Sequence, residues 1–189
     1  MSNKNVYIHP NALVETDKIG DCTRIWAFAH VLKGASLGSN CNICDHCFIE
    51  NDVVLGNDVT VKCGVSIWDG VRIEDKVFIG SGAAFSNDIY PRSKIYQKNH
   101  TRTLIKEGAS LGTNCVLIAG ITVGSYAMIG AGSIVTRDVN DFSLCYGNPA
   151  RQHGYICKCK EKIDIRDDEN VTCKCGLIFT LKRGKILMT

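Results

Sequence analysis

A large apolar residue recurs at every sixth position through the first half of the chain: Ile19, Ile25, Val31, Leu37, Ile43, Ile49, Leu55, Val61, Ile67, Ile73, Ile79 and Phe85. Four places after these stand small or β-branched residues: Thr23, Ala29, Ala35, Cys41, Cys47, Val53, Val59, Val65, Val71, Val77 and Ala83. An amphipathic helix needs apolar spacings of three and four, and a half-buried strand needs simple alternation, so this pattern is neither. Self-similarity at a fixed short period marks a repeat architecture, in which stacked units share one continuous core. The spacing predicts very short strands, three to a coil of 18 residues, wound into a parallel β-helix of triangular section. Each strand then pairs with the strand one coil away, with the large residue pointing to the axis.

Gly20, Gly38, Gly56, Gly80, Gly112, Gly124 and Gly130 each follow an inward aliphatic, which reads as corner backbone in a conformation costly for a residue with a Cβ. The register resumes at Ile105, Leu111, Leu117, Val123, Ile129 and Val135, with Ala109, Cys115, Ile121, Ala127, Ser133 and Val139 as partners. Ile105 follows Phe85 by 20 residues, two more than one coil. The intervening segment 86–104 carries Tyr90, Pro91, Arg92, Lys94, Tyr96, Lys98, His100 and Arg102. It is expected to be an excursion from the helix, and long loops of this kind usually serve function. Ile8 and Val14 slip out of register, as terminal repeats commonly do. Cys41, Cys47 and Cys115 fall at the small inward position and are expected to be packed core thiols.

A chain of 189 residues with 45% apolar composition has enough material for one main core. The formal charge of +3 is spread without a dense basic block, which argues against nucleic-acid binding. The start, Met1 to Val6, leads into no apolar stretch, and no run of about 18 apolar residues occurs, so a cytoplasmic protein without membrane insertion is expected. Eleven cysteines cannot all pair within one chain, and they read as reduced thiols.

The register ends near Arg151, giving an expected helical domain over 1–151 and a small module over 152–189. The module holds Cys157-Lys158-Cys159 and Cys173-Lys174-Cys175-Gly176, followed by an expected hairpin from Leu177 to Met188. So short a segment cannot bury much core alone; it must dock on the helix or carry a staple. Cys157, Cys159, Cys173 and Cys175 could supply four thiolates to a structural zinc, although the usual knuckle is Cys-x-x-Cys. The alternative is four free thiols on a docked tail.

A carboxylate and a carboxamide held side by side can orient a substrate and accept a proton from it. Asn87 stands at the mouth of the excursion, and Asp69 precedes it by 18 residues, so the two should stack on one edge at the roughly 4.8 Å spacing of neighbouring strands. Asp69 is the candidate at that edge to orient the reacting group or accept its proton, and His100, from the far end of the excursion, is the alternative base.

The repeat [Leu/Ile/Val]-Gly-x-x-[Ala/Cys/Val]-x over about 8–151 resembles the hexapeptide acyltransferases. That resemblance implies an all-β, left-handed parallel β-helix, a homotrimer with active sites between subunits, and acetyl-CoA as cosubstrate. Four stretches narrow it: Thr23-Arg24-Ile25-Trp26, Phe85-Ser86-Asn87-Asp88-Ile89-Tyr90-Pro91-Arg92, Gly130 to Val139, and Gly147-Asn148-Pro149-Ala150-Arg151. Together they resemble the nucleotide-sugar 3-N-acetyltransferases, which act on dTDP-3-amino-3,6-dideoxyhexoses or on UDP-2-acetamido-3-amino-2,3-dideoxyglucuronate for surface polysaccharides such as O-antigen. The Asn-Asp pair favours the dTDP branch; the UDP-linked glucuronate and a 4-amino sugar remain alternatives. The resemblance implies that Asn87 and Asp88 contact the aminosugar, with Tyr90, Arg92 and His30 as further substrate candidates. It places CoA along Gly112, Ala119, Gly120, Ala131 and Gly132, read as small outward positions, with Arg137 and Arg151 for its phosphates. In related enzymes the departing CoA thiolate is an alternative proton acceptor. A zinc carbonic anhydrase of the same fold is disfavoured, because His9, His30 and His46 lack the paired spacing. A noncatalytic β-helix assembly protein is disfavoured by the loaded excursion.

Overall fold

The computed structural model describes residues 5–95 and 100–188, so Tyr96 and Lys98 of the excursion lie outside the described residues. Every regular element among the described residues is a strand, most of them two residues long. Eight stack in parallel on a first face: Tyr7–Ile8, Arg24–Ile25, Asn42–Ile43, Thr60–Val61, Phe78–Ile79, Ser110–Leu111, Met128–Ile129 and Ser143–Gly147. The second face stacks seven, from Leu13–Val14 to Ile134–Val135, and the third stacks five, from Ser36–Leu37 to Thr122–Val123. The structure is the three-sided parallel β-helix that the six-residue spacing demands. Among the described residues no helix is long and apolar enough to cross a membrane.

The core follows the repeat. Ile25, Val31, Ile43, Ile49, Val61, Ile67, Ile79, Ile105, Leu111, Leu117 and Val123 are all fully buried, as are the small partners Thr23, Ala35, Val53, Val59, Val65, Ala109, Cys115 and Ala127. Each large aliphatic side chain removed from water in this way contributes about 1.5–3 kcal/mol. The core cysteines are also tied down: Cys41 Sγ donates to Gly56 O at 3.2 Å and Cys47 Sγ to Lys62 O at 3.2 Å. Burial pushes the Cys47 thiol up to about 12 and Cys115 up to about 11. Since the thiolate is the nucleophile, these groups are inert. Treatment of the native protein with iodoacetamide is expected to label Cys22 and Cys63, the exposed cysteines of the helical coils. Peptide mass mapping should find Cys41, Cys47 and Cys115 unmodified until the protein is denatured.

Two expectations need correction. The glycines after the inward aliphatics are required by space and not by conformation, because none of the seven has a positive φ. A Cβ on Gly38 would lie 2.2 Å from Gly56 O, and one on Gly20 would lie 2.4 Å from Ser39 N. Consecutive coils touch backbone to backbone at this corner, and hydrogen is all that fits. The left-handed corner positions fall elsewhere, on residues such as Cys22, Asn40, Asp58 and Asn114 and on Gly64, Gly82 and Gly132.

The second correction is the size of the excursion. Regular coils pair residues 18 apart, as in Ser66↔Ala84, whereas strands flanking the excursion pair Val71 with Thr103 and Ile73 with Ile105, 32 apart. The insertion is therefore 14 residues within a single coil, not a coil with two extra. It leaves after the second face and rejoins at the third. The first coil is one residue short, with Tyr7↔Arg24 and Leu13↔His30, which accounts for the slip at Ile8 and Val14.

The strand Ala150–Ile156 spans the expected boundary at 151. It pairs antiparallel with Ser143–Gly147, so the helix's first sheet runs on into the tail, with Lys162–Ile163 as its last strand. The hairpin Ile178–Lys182 and Lys185–Met188 adds Asn170–Thr172 as a third strand. A second cluster of Phe142, Cys157, Ile163, Cys173, Phe179, Leu181 and Ile186 joins the tail to the helix. Phe142 stacks on Tyr126 at 5.6 Å and meets the edge of Phe179 at 5.4 Å.

Candidate active site

The strand register carries the expected residues to one edge. Ser66, Ala84, Val116 and Ile134 pair in succession on the second face. Asp69, Asn87, Ala119 and Arg137 each stand three residues beyond these partners. They therefore form a column where the second face turns into the third, stepping by about one strand spacing of 4.8 Å per coil. The backbone ladder continues into this corner, with Ser86 N–H donating to Leu117 O at 3.0 Å and Ile118 N–H to Val135 O at 3.2 Å.

Asp69 is held firmly. Its Oδ1 accepts the Asp52 N–H at 2.5 Å, and its own N–H donates to Glu50 Oε2 at 2.7 Å. One carboxylate oxygen thus satisfies backbone, and the other keeps a fixed direction. Asn87 is half-buried, and its amide makes no hydrogen bond among the described residues. Asp88 shapes the start of the excursion: its Oδ1 accepts the Tyr90 N–H at 2.8 Å, and its carbonyl accepts Ser86 Oγ–H at 2.9 Å. Such an Asx turn aims the chain outward. Tyr90 and Arg92 follow on the exposed loop, with Arg92 Nη1 donating to Pro91 O at 3.1 Å.

The far end of the excursion returns to the same corner. A Cβ on Gly70 would lie 3.1 Å from His100 Cβ, so His100 passes directly beside the residue that follows Asp69. A Cβ on Gly120 would lie 2.5 Å from Thr101 Cγ2, and Gly120 N–H donates to Thr103 Oγ1 at 3.0 Å. Asp69, Asn87, Asp88, His100 and Gly120 are thus brought together. At the end of this edge, Arg137 and Arg151 line one pocket of about 210 Å³ with Asp138, Asn140 and Gln152. Two arginines against one aspartate leave this lining net positive, which suits a phosphate.

Other assignments do not converge. His30 lies on the second face two coils from Asp69 and three from Asn87, with Nε2 2.7 Å from Glu15 Oε1. It reaches the corner only through a ladder of rings, His30 to Phe48 at 5.5 Å and Phe48 to Trp68 at 5.5 Å. Ala119 is 5% exposed, so the outward position expected there is closed. The returning excursion passes its neighbour Gly120 at Thr101, which a residue count could not foresee. Gly112, Ala131 and Gly132 occupy a different edge, between the first and second faces. There Gly112 and Ala131 line a groove of about 540 Å³ with Phe78, Met128, Leu144 and Lys160. Trp68 and Lys160 were not legible as site residues. Trp68 is half-buried immediately before Asp69, and an aromatic one coil below the mouth of the excursion was the available signal. Lys160 lies beyond the register, where spacing carries no information. The sulfurs of Cys157, Cys159, Cys173 and Cys175 lie within 4.8 Å of one another.

A three-sided β-helix with a loaded edge defines the class, and the comparisons agree with it. The family model "Bacterial transferase hexapeptide (six repeats)" matches residues 18–51, and "Hexapeptide repeat of succinyl-transferase" matches 103–137. The chain belongs to the hexapeptide-repeat acyltransferases, in their nucleotide-sugar N-acetyltransferase branch. It is 58% identical over 183 residues to dTDP-3-amino-3,6-dideoxy-alpha-D-galactopyranose 3-N-acetyltransferase of Aneurinibacillus thermoaerophilus, covering 97% of this chain and 95% of that protein. A bifunctional protein GlmU of Synechococcus is 34% identical over 75% of this chain but only 29% of its own length. Two solved structures share the fold. A mutant of an N-acyltransferase, AntD, from Bacillus cereus with dTDP and coenzyme A matches at TM-score 0.61 and 16% identity, covering 80% of this chain and 84% of that one. A mutant perosamine N-acetyltransferase from Caulobacter crescentus with CoA and GDP-perosamine matches at 0.57 and 22%, covering 79% and 56%.

Proposed function

We propose that this protein transfers the acetyl group of acetyl-CoA to the 3-amino group of a dTDP-linked 3-amino-3,6-dideoxyhexose, a step in the supply of sugars for surface polysaccharides. The observation that carries the reading is the single edge on which Asp69, Asn87, the ends of the excursion, Gly120 and Arg137 follow one another. In this reading the donor lies along that edge. The CoA phosphates lie at Arg137 and Arg151, the pantetheine runs past Gly120, and the thioester arrives at Asn87.

The chemistry then follows from the groups at hand. The lone pair of the neutral sugar amine attacks the thioester carbonyl carbon, forming the C–N bond. The tetrahedral intermediate collapses with cleavage of C–S and departure of CoA thiolate. Asn87 and Asp88 position the sugar, and the free oxygen of Asp69 orients the amine. The proton lost by nitrogen passes to the CoA thiolate or to a side chain at the corner, Asp69 or His100. Tyr90 and Arg92, on the exposed loop, face the nucleotide diphosphate. Holding two substrates in line in this way accounts for much of the acceleration expected of such a site.

The protein acts as a homotrimer in this reading. In one chain the second face separates Asn87 from the edge of Gly112, Ala131 and Gly132, and a neighbouring helix brings an edge of that second kind against the first. Purified protein given acetyl-CoA and dTDP-3-amino-3,6-dideoxygalactose is expected to release CoA thiol, measured with a disulfide reagent, with little release for the UDP-linked 3-aminoglucuronate. Absence of release with both sugars would refute the assignment.

A further inference from the structure

The cysteine-bearing tail contains two copies of one turn. Cys157 N–H donates to Glu161 O at 2.8 Å and Lys160 N–H to Cys157 O at 2.9 Å. In the second copy, Cys173 N–H donates to Leu177 O at 2.8 Å and Gly176 N–H to Cys173 O at 2.8 Å. The fourth residue of each turn is left-handed, Lys160 at φ 76 and Gly176 at φ 92. Cys157 matches Cys173 and Cys159 matches Cys175, so two identical knuckles face each other. Their sulfurs meet across the gap, Cys157 to Cys175 at 3.5 Å and Cys159 to Cys173 at 3.5 Å, and all four lie within 4.8 Å. A tetrahedron built on a Zn–S distance of about 2.3 Å has sulfur–sulfur edges of about 3.8 Å. The four thiols thus stand close to the corners of a zinc tetrathiolate.

The first knuckle also touches the helix. Lys158 Nζ lies 4.2 Å above the Tyr126 ring, and Tyr126 is fixed by its hydroxyl donating to Glu107 Oε1 at 2.8 Å. Lys160 lines the groove that holds Gly112 and Ala131, where its neighbours are Phe78, Leu111 and Met128. It is the cation among the described residues lining that groove. Its positive φ of 76 costs a residue with a Cβ roughly 1–2 kcal/mol, which the Lys160 N–H to Cys157 O bond helps to offset.

We propose that Cys157, Cys159, Cys173 and Cys175 bind one zinc ion, and that this ion clamps the knuckle presenting Lys160 to the groove of Gly112 and Ala131. All four coordination positions are sulfur, so the ion is structural and has no place for water. The second half of the proposal rests on the acetyl-CoA reading: Lys160 is a positioning residue that donates to an oxygen of the bound donor from a neighbouring site.

Metal analysis of protein purified under reducing conditions tests the first half without reference to turnover. One zinc per chain is expected, and replacement with cobalt(II) should give the intense visible absorption of a tetrahedral tetrathiolate. Iron in its place, or reduced protein that takes up neither zinc nor cobalt, or a Cys157–Cys175 disulfide found by mass spectrometry after anaerobic purification, would overturn it. Lys160→Ala tests the second half in the zinc-loaded protein. It should keep one zinc per chain and raise the KM for acetyl-CoA about tenfold, with kcat nearly unchanged, as loss of one charge-assisted contact implies. An unchanged KM, or a loss of zinc in this variant, overturns the positioning role. Calorimetry of CoA binding reads the same effect if the chosen sugar is not turned over.

Discussion

Asn87→Ala is expected to lower kcat/KM for the aminosugar by about 10²-fold while leaving the Kd for CoA within about twofold, because misplacing a reacting group by even an ångström costs on that order. The half-buried Asn87 amide makes no hydrogen bond among the described residues, so its donors and acceptor are available to a ligand. Removing it should not disturb a backbone ladder. Asp69→Ala differs in kind, because Asp69 Oδ1 accepts the Asp52 N–H at 2.5 Å. That variant should lose both turnover and stability, so Asp69→Asn, which keeps an acceptor oxygen, is the better probe of the carboxylate. Steady-state kinetics on both variants, with calorimetry for CoA, separates the roles. Equal loss of sugar turnover and CoA affinity in Asn87→Ala would contradict its assignment to the acceptor.

Gly38→Ala should be among the most destabilising single methyl additions in the chain, at about 3 kcal/mol. The new Cβ would lie 2.2 Å from Gly56 O and 2.4 Å from Gly56 C, both backbone atoms that cannot rotate away. Overpacking of a well-filled site costs about 1–3 kcal/mol, and here the strain also opens the pairing of two coils. Gly132→Ala is the control. Gly132 has φ 67 with nothing within 4 Å of the added carbon, so it should cost only the conformational penalty of about 1 kcal/mol. Chemical denaturation of the two variants measures the difference. Similar losses would mean that conformation and not contact governs the glycine column.

What could be read from the sequence depended on whether a residue lies inside the repeat. The aliphatic at every sixth place fixes which side chains fill the axis, since a six-residue period leaves one way to bury them, and Ile25, Ile49, Ile79 and Leu117 are fully buried as expected. The same count stacked Asp69 under Asn87 and classed Cys41, Cys47 and Cys115 as core. It failed where distance along the chain stops reporting distance in space. A count of 20 residues from Phe85 to Ile105 suggested a coil with two extra, and only the pairing of Ile73 with Ile105 revealed 14 inserted residues. Ala119 is buried where an outward position was expected, and the glycines after the inward aliphatics answer to the neighbouring coil.

The sequence by itself determined the helix, its core and the place of its one large interruption, because periodic burial is a local pattern repeated many times. Only the tertiary structure decided that the two ends of the excursion meet at one corner, that Arg137 and Arg151 share a pocket, and that four cysteines from two distant turns converge. Those contacts arise where the chain leaves its period, and there the packing of one segment on another sets the geometry.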